Sequence, residues 1–167
     1  MANRVRVNYS CSDPRFNRLK LLAFDTSTEY CSAAIVSDGS SYIREMHAGN
    51  RHSELLLPMI GELLAESGFV LAQLDGIAYG KGPGSFTGLR IGCGVAQGLG
   101  LGADLPVVGV VTLEAMAWGS GHDCVATCLD ARMHEVYYAL YQRAGDDMRC
   151  MAGPGVHKPG DVPLPFG

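Results

Sequence analysis

The sequence predicts an α/β fold: a mixed β-sheet flanked by helices, then the start of a second, similar lobe. Three observations carry this. Three strand patterns joined by tight turns occupy residues 19–47. Helical and strand patterns then alternate to about residue 120. A second strand–turn–strand follows, with Asp130-Ala131 standing where the first has Asp25-Thr26.

Taken in order, LKLLAFD (19–25) is a short apolar run ending in a carboxylate, the pattern of a buried strand. The polar Thr26-Ser27-Thr28-Glu29 turns the chain into CSAAIVS (31–37). Asp38-Gly39 signals a hairpin, and residues 42–47 return as the third strand. Ser53 is placed to cap a helix that runs to about Ser67 and stops at Gly68. Its apolar stripe, Leu56, Ile60, Leu63 and Leu64 with Leu55 and Met59 beside it, is wider than one core-facing stripe requires. Pro58 inside the run predicts a helix that tightens, or truly starts, near Leu57. DGIAYG (75–80) is a short strand.

Residues 79–102, YGKGPGSFTGLRIGCGVAQGLGLG, form a glycine loop running into a helix. Ser85 or Thr87 can cap it through a hydroxyl. Each interior glycine costs about 1 kcal/mol of helix preference, so tertiary contacts must offset the run. Gly84, Gly88, Gly92, Ala96 and Gly100 recur every four residues, and Gly94, Gly98 and Gly102 make a second series. Small residues along such a ridge let another backbone approach closely. Two ridges with Phe86, Leu89 and Leu101 predict contacts on two sides, one internal and one with a partner. A helix lying flat on its own sheet accounts equally for one ridge.

PVVGVV (106–111) reads as a buried parallel strand, and Thr112 as the cap of a helix to about Trp118. CVATCLD (124–130) and EVYYALYQ (135–142) are strands around a turn. After Cys150 four prolines and three glycines predict a tail without packing capacity. The expected domains are an extension or disordered segment at 1–18, a first lobe at 19–120, an incomplete second lobe at 121–151, and a tail at 152–167.

Apolar residues make up 47% of the 167 and the net charge is −4, so no global charge draws the chain to nucleic acid or an anionic membrane. No apolar run reaches the length of a membrane span. Arg4, Arg6, Arg15, Arg18 and Lys20 stand near the N-terminus without an apolar segment, which is no secretory signal. Six cysteines show no CxxC and are expected to serve mainly as small buried hydrophobes in a reducing cytosol.

FDTSTEYCSAAI, AYGKGPGSFTGLRIGCGVAQGL and LDARMHEVYYALY, in that order, resemble the bacterial TsaB (YeaZ) family over about residues 19–142. The resemblance implies a ribonuclease H-like fold of the actin, sugar kinase and Hsp70 superfamily. It also implies a role in threonylcarbamoyl modification of adenosine 37 in tRNAs that read ANN codons. The implied partners are the transferase TsaD and the ATPase TsaE, with a homodimer in isolation and tRNA engaged indirectly. Family members continue well past residue 167, so the second lobe is expected to be truncated.

The catalytic sister carries an HxxxH metal motif where this chain has Thr112 and Met116. Those side chains cannot replace two histidines as metal ligands. The five histidines share no ligand spacing. The superfamily's phosphate hairpins correspond to Asp25-Thr26-Ser27-Thr28 and Asp130-Ala131-Arg132-Met133, neither with the glycine that lets a backbone close on phosphate. The glycine loop is neither a Walker A loop nor GxGxxG, and no Ser sits in a GxSxG elbow. The expectation is therefore no catalytic residue, no metal and no cofactor of its own, with ATP and Mg²⁺ left to a shared complex. Asp25, Thr26, Ser27, Thr28, Gly82, Gly84 and Ser85 are the candidate nucleotide or anion contacts. The expected dimer face comprises Leu55, Leu56, Met59, Ile60 and Leu63 on the first helix and Phe86, Leu89, Gly92, Ala96 and Gly100 on the second. A noncatalytic cytoplasmic subunit is preferred. The alternatives are an ATP- or metal-dependent transferase or kinase, and a truncated product without function.

Overall fold

The computed structural model of the protein describes residues 3–5, 19–37 and 39–163. Its elements, in chain order, are β1 (Asn3–Val5), β2 (Leu21–Asp25), β3 (Tyr30–Ser37), β4 (Ser40–His47), α1 (His52–Ser67), β5 (Gly76–Gly80), α2 (Phe86–Ala103), β6 (Val107–Val110), α3 (Thr112–Ser120), β7 (Cys124–Arg132), β8 (Glu135–Ala144) and β9 (Asp147–His157). The α/β class and the mixed sheet flanked by helices are as expected from the sequence.

Six strands form one sheet in the order β1-β4-β3-β2-β5-β6. The hairpin strands pair antiparallel, and β2, β5 and β6 run parallel. Strand alternation gives each face its own character. Leu22, Phe24, Cys31, Ala33, Ile35 and Ile77 point to one face, where they are buried under α1 and α2. From α1 come Leu56, Met59, Ile60 and Leu63, all buried. From α2 the contact ridge is Gly88, Gly92, Ala96 and Gly100.

Gly88 shows why that ridge must be small. A Cβ there would lie 1.9 Å from the carbonyl oxygen of Thr26, a backbone atom that cannot step aside. The approach is cemented by Thr26, whose buried Oγ1 donates to the Gly88 carbonyl at 2.8 Å. Gly94, Gly98 and Gly102 instead face open space.

The second sheet, β7-β8-β9, is antiparallel throughout and carries α3 on one face. Leu113 and Ala117 meet Ala139, Tyr141 and Met148 in a second small core. Its side is fastened by Arg143, which pairs with Asp123 at 3.2 Å and lies 4.8 Å over the Trp118 ring.

The structure corrects several local expectations. Helix α1 begins at His52 without a side-chain cap, so Ser53 is helical and not the cap. It runs unbroken through Pro58, which is exposed, so the acceptor left without a donor can face water. Thr112 opens α3 from inside, with Val111 as its cap. Residues 152–157, expected in a tail, belong to β9. Proline and glycine are tolerated there because β9 is an outer strand with a shifted register. Residues 3–5 pair with β4, and the rest of the expected 1–18 extension lies outside the described residues, as do Asp38 and Cys11. Cys31 is buried, but Cys124, Cys128 and Cys150 are exposed, because α3 covers only one face of their sheet. Among the described residues no helix is long and apolar enough to cross a membrane.

The two glycine series should respond oppositely to the same change. Gly88→Ala should destabilise the protein by about 3 kcal/mol or more in urea unfolding, through overpacking against fixed backbone. Gly98→Ala should stabilise it by about 0.5–1 kcal/mol, the ordinary helix preference.

Candidate functional site

Two regions carry the candidate residues: the turn after β2 with the loop that meets it, and the helices α1 and α2. The turn is built on Asp25, whose Oδ1 accepts from the backbone N of Ser27 at 2.7 Å and from its Oγ at 2.5 Å. Ser27 in turn accepts, through its carbonyl, the backbone N–H of Ser85 at 2.6 Å. Gly80 lies so close to Asp25 that a Cβ would fall 1.8 Å from Oδ2. The loop between β5 and α2 is thus drawn onto the turn. It ends at Ser85, whose Oγ accepts from Gly88 N at 3.3 Å as the helix cap.

Of the candidate nucleotide contacts, Asp25, Thr26, Ser27, Gly84 and Ser85 are therefore brought together, but mainly with one another. The hydroxyls of Thr26 and Ser27 already donate within the protein and both residues are buried. Thr28 accepts from Tyr30 N at 3.1 Å. Gly82 binds the backbone N–H of Thr112 through its carbonyl, at 2.8 Å. What the turn does is lock the first sheet to α2 and α3.

Its counterpart after β7 is looser. Asp130 Oδ1 accepts from Arg132 N at 2.8 Å, and Arg132, Met133 and His134 all have positive φ, from 54° to 68°. Met133 is 90% exposed. Among the described residues no three His, Cys, Asp or Glu side chains converge as metal ligands.

The helix surface requires a larger correction. Leu56, Met59, Ile60, Leu63, Gly92, Ala96 and Gly100, expected at a dimer face, lie inside the single subunit. They cannot form that face, because they already cover the sheet. Leu55 and Leu89 are half-buried, and of the ten only Phe86 is well exposed. The outward ridge consists of residues left out of that set: Gly61 on α1 and Gly94, Gly98 and Gly102 on α2, all open, with Leu57 and Leu101 exposed. The second glycine series was the signal for it. Phe86 is not bare: the Arg90 guanidinium stacks 3.8 Å above its ring.

Ionisation follows burial. Burial, then the nearby Asp25 carboxylate, pushes the Cys31 thiol up to about 11. Burial, then the neighbouring Cys150 and Glu114, pushes the Tyr141 phenol up to about 12. Tyr79 is also raised, first by its hydrogen bond with Cys93.

The profile of the family described as "TsaD: tRNA N6-adenosine threonylcarbamoyltransferase" matches residues 44–166. The chain is 48% identical over 129 residues to the tRNA threonylcarbamoyladenosine biosynthesis protein TsaB of Escherichia coli, covering 75% of this chain and 56% of that protein. It is 50% identical over 130 residues to the TsaB of Haemophilus influenzae, covering 75% and 55%. The chain thus spans little more than half the length of these curated relatives. The solved structure of YeaZ from Pseudomonas aeruginosa superposes with a TM-score of 0.83 at 40% identity, covering 89% of this chain and 72% of that one.

The raised Cys31 thiol gives a test with a defined sign. A folded pKa above the unfolded one stabilises the protein at neutral pH, and that contribution is lost as pH rises from about 9 towards 11. Melting temperature should fall across that window, and less in Cys31→Ala than in the parent. At pH 8 iodoacetamide should modify the exposed Cys124, Cys128 and Cys150 well before Cys31, as peptide mass mapping would read.

Proposed function

The chain belongs to the TsaB (YeaZ) family, and from that premise we propose that it serves as a noncatalytic partner subunit in threonylcarbamoyl modification of adenosine 37 of tRNA. In this reading its work is done by a surface. The transferase TsaD supplies the chemistry, TsaE joins the pair, and any need for ATP and Mg²⁺ belongs to the assembly. In the absence of TsaD two copies of the chain take each other's place.

One observation carries the reading: a ridge of open glycines on neighbouring helices, Gly61 and Gly94 with Gly98, beside the exposed Leu57, Phe86 and Leu101. Outward glycines contribute nothing to the helix that bears them. They make sense where another helix must come close, since removing side chains from both sides lets backbones approach. Phe86 and Leu101 supply apolar area near the two ends of α2, the pattern of anchors around a flat contact. Arg90, held over Phe86, places a cation at the margin for an acidic partner group. The crowded state of the Asp25 turn agrees with this, because its hydroxyls are spent on the fold.

Gly98→Leu and Phe86→Asp change the outer ridge without touching the core. Each should abolish co-elution with TsaD in size-exclusion chromatography, and reduce self-association, while leaving the far-UV spectrum and melting temperature close to the parent. Undiminished co-elution of both variants would overturn the assignment of the face.

A further inference from the structure

The face of the first sheet turned away from α1 and α2 is not flat. A cavity of about 370 Å³ opens on it, closed on one side by the start of α3. Strand register explains its shape. Ile43, Ala34, Ala23 and Ala78 are cross-strand partners in one row across four strands, and their small side chains leave the space. The next row on the same face is Glu45, Ser32 and Asp25, again direct partners. The floor is thus apolar and shallow, and one edge bears two carboxylates with a hydroxyl between them.

We propose that this cavity binds a small organic ammonium ligand, its apolar body on the alanine floor and its cationic head over Ser32, between Asp25 and Glu45. The charge pattern selects the class. No Lys, Arg or His is among the described residues that line the cavity, so a phosphate or carboxylate would meet two like charges and no counter-charge from them. Asp25 and Glu45 stand two strands apart, about 9–10 Å between Cα atoms; among the described residues no third His, Cys, Asp or Glu joins them as a metal-ligand set, whereas two carboxylates suffice to flank an ammonium group. Asp25 Oδ1 is committed to Ser27, whereas Oδ2 receives no hydrogen bond from the described residues. The third wall contributes Thr112, 6% exposed, whose Oγ1 is the buried side-chain atom left without a partner among the described residues. A buried hydroxyl without a bond costs about 1–3 kcal/mol unless something satisfies it. A side-chain rotation towards the cavity would offer it a ligand.

The site is separate from the helix ridge, so its failure would leave the subunit reading intact. Isothermal titration with phenethylammonium as the probe tests it, with phenylacetate and ADP as anionic comparisons. Phenethylammonium should bind saturably and the two anions should not. Glu45→Gln should weaken binding about fivefold, the loss of one partly exposed charge partner. Ala34→Leu should abolish it by filling the floor. Ala115→Leu, on the exposed start of α3, does the same from the opposite wall and guards against a folding defect in the first variant. Absence of saturable binding, equal binding of phenylacetate, or indifference to both filling variants would overturn the proposal.

Discussion

Where Thr26 meets Gly88 there is no room for a side chain on the helix, and the seating of α2 on the first sheet depends on that contact. A helix resting on a sheet through ordinary side chains stands about 10 Å away. Here the missing Cβ atoms of Gly88 and Gly92 let α2 descend onto the strand end, and the Thr26 hydroxyl replaces side-chain packing with a hydrogen bond. From that contact follow the position of the glycine loop, the cap at Ser85 and the entry to α3 through Gly82. The low helix preference of α2 is offset by this local geometry.

Close by, the Asp25 turn spends its own polar groups internally. A phosphate cradle needs backbone N–H groups and hydroxyls that point outward and are free. In this chain Ser27 N–H, Ser27 Oγ and Thr26 Oγ1 are all engaged inside the protein. Thr26 thereby joins the turn to α2, and Ser27 closes the turn on Asp25.

Much of this was legible in the sequence. Alternation and turn chemistry located nearly every strand of both sheets, and spacing by four revealed both ridges of α2. Spacing alone shows which residues share a face, however, and not which face is inward. The expected partner face therefore takes Gly92, Ala96 and Gly100 and leaves the second series of Gly94 and Gly98 to the inside, the reverse of what the structure shows, because glycine on a ridge reads the same from either side. Leu56 and Leu63 went the same way: a wide apolar stripe on α1 fits a partner as well as it fits a broad sheet. Strand β9 was hidden by Gly153-Pro154-Gly155, which forbids a central strand but not a marginal one. The cysteines of β7 read as buried, since nothing in CVATCLD tells whether a sheet is covered on one side or two. The alanine floor beside Asp25 gave no motif at all; it exists only through the register of four strands.

The outer position of β9 has a further consequence for behaviour in concentrated solution. An outer strand presents N–H and C=O groups to which a neighbour can add its own strand and begin a stack. Pro154 lacks the N–H that such a newcomer would need, and the irregular register around Tyr138 and Leu140 twists the margin further out of line. Among the described residues, both features make that flank a poorer template for a further strand. The larger sheet presents a different margin at β6, where Val107 and Val108 are exposed.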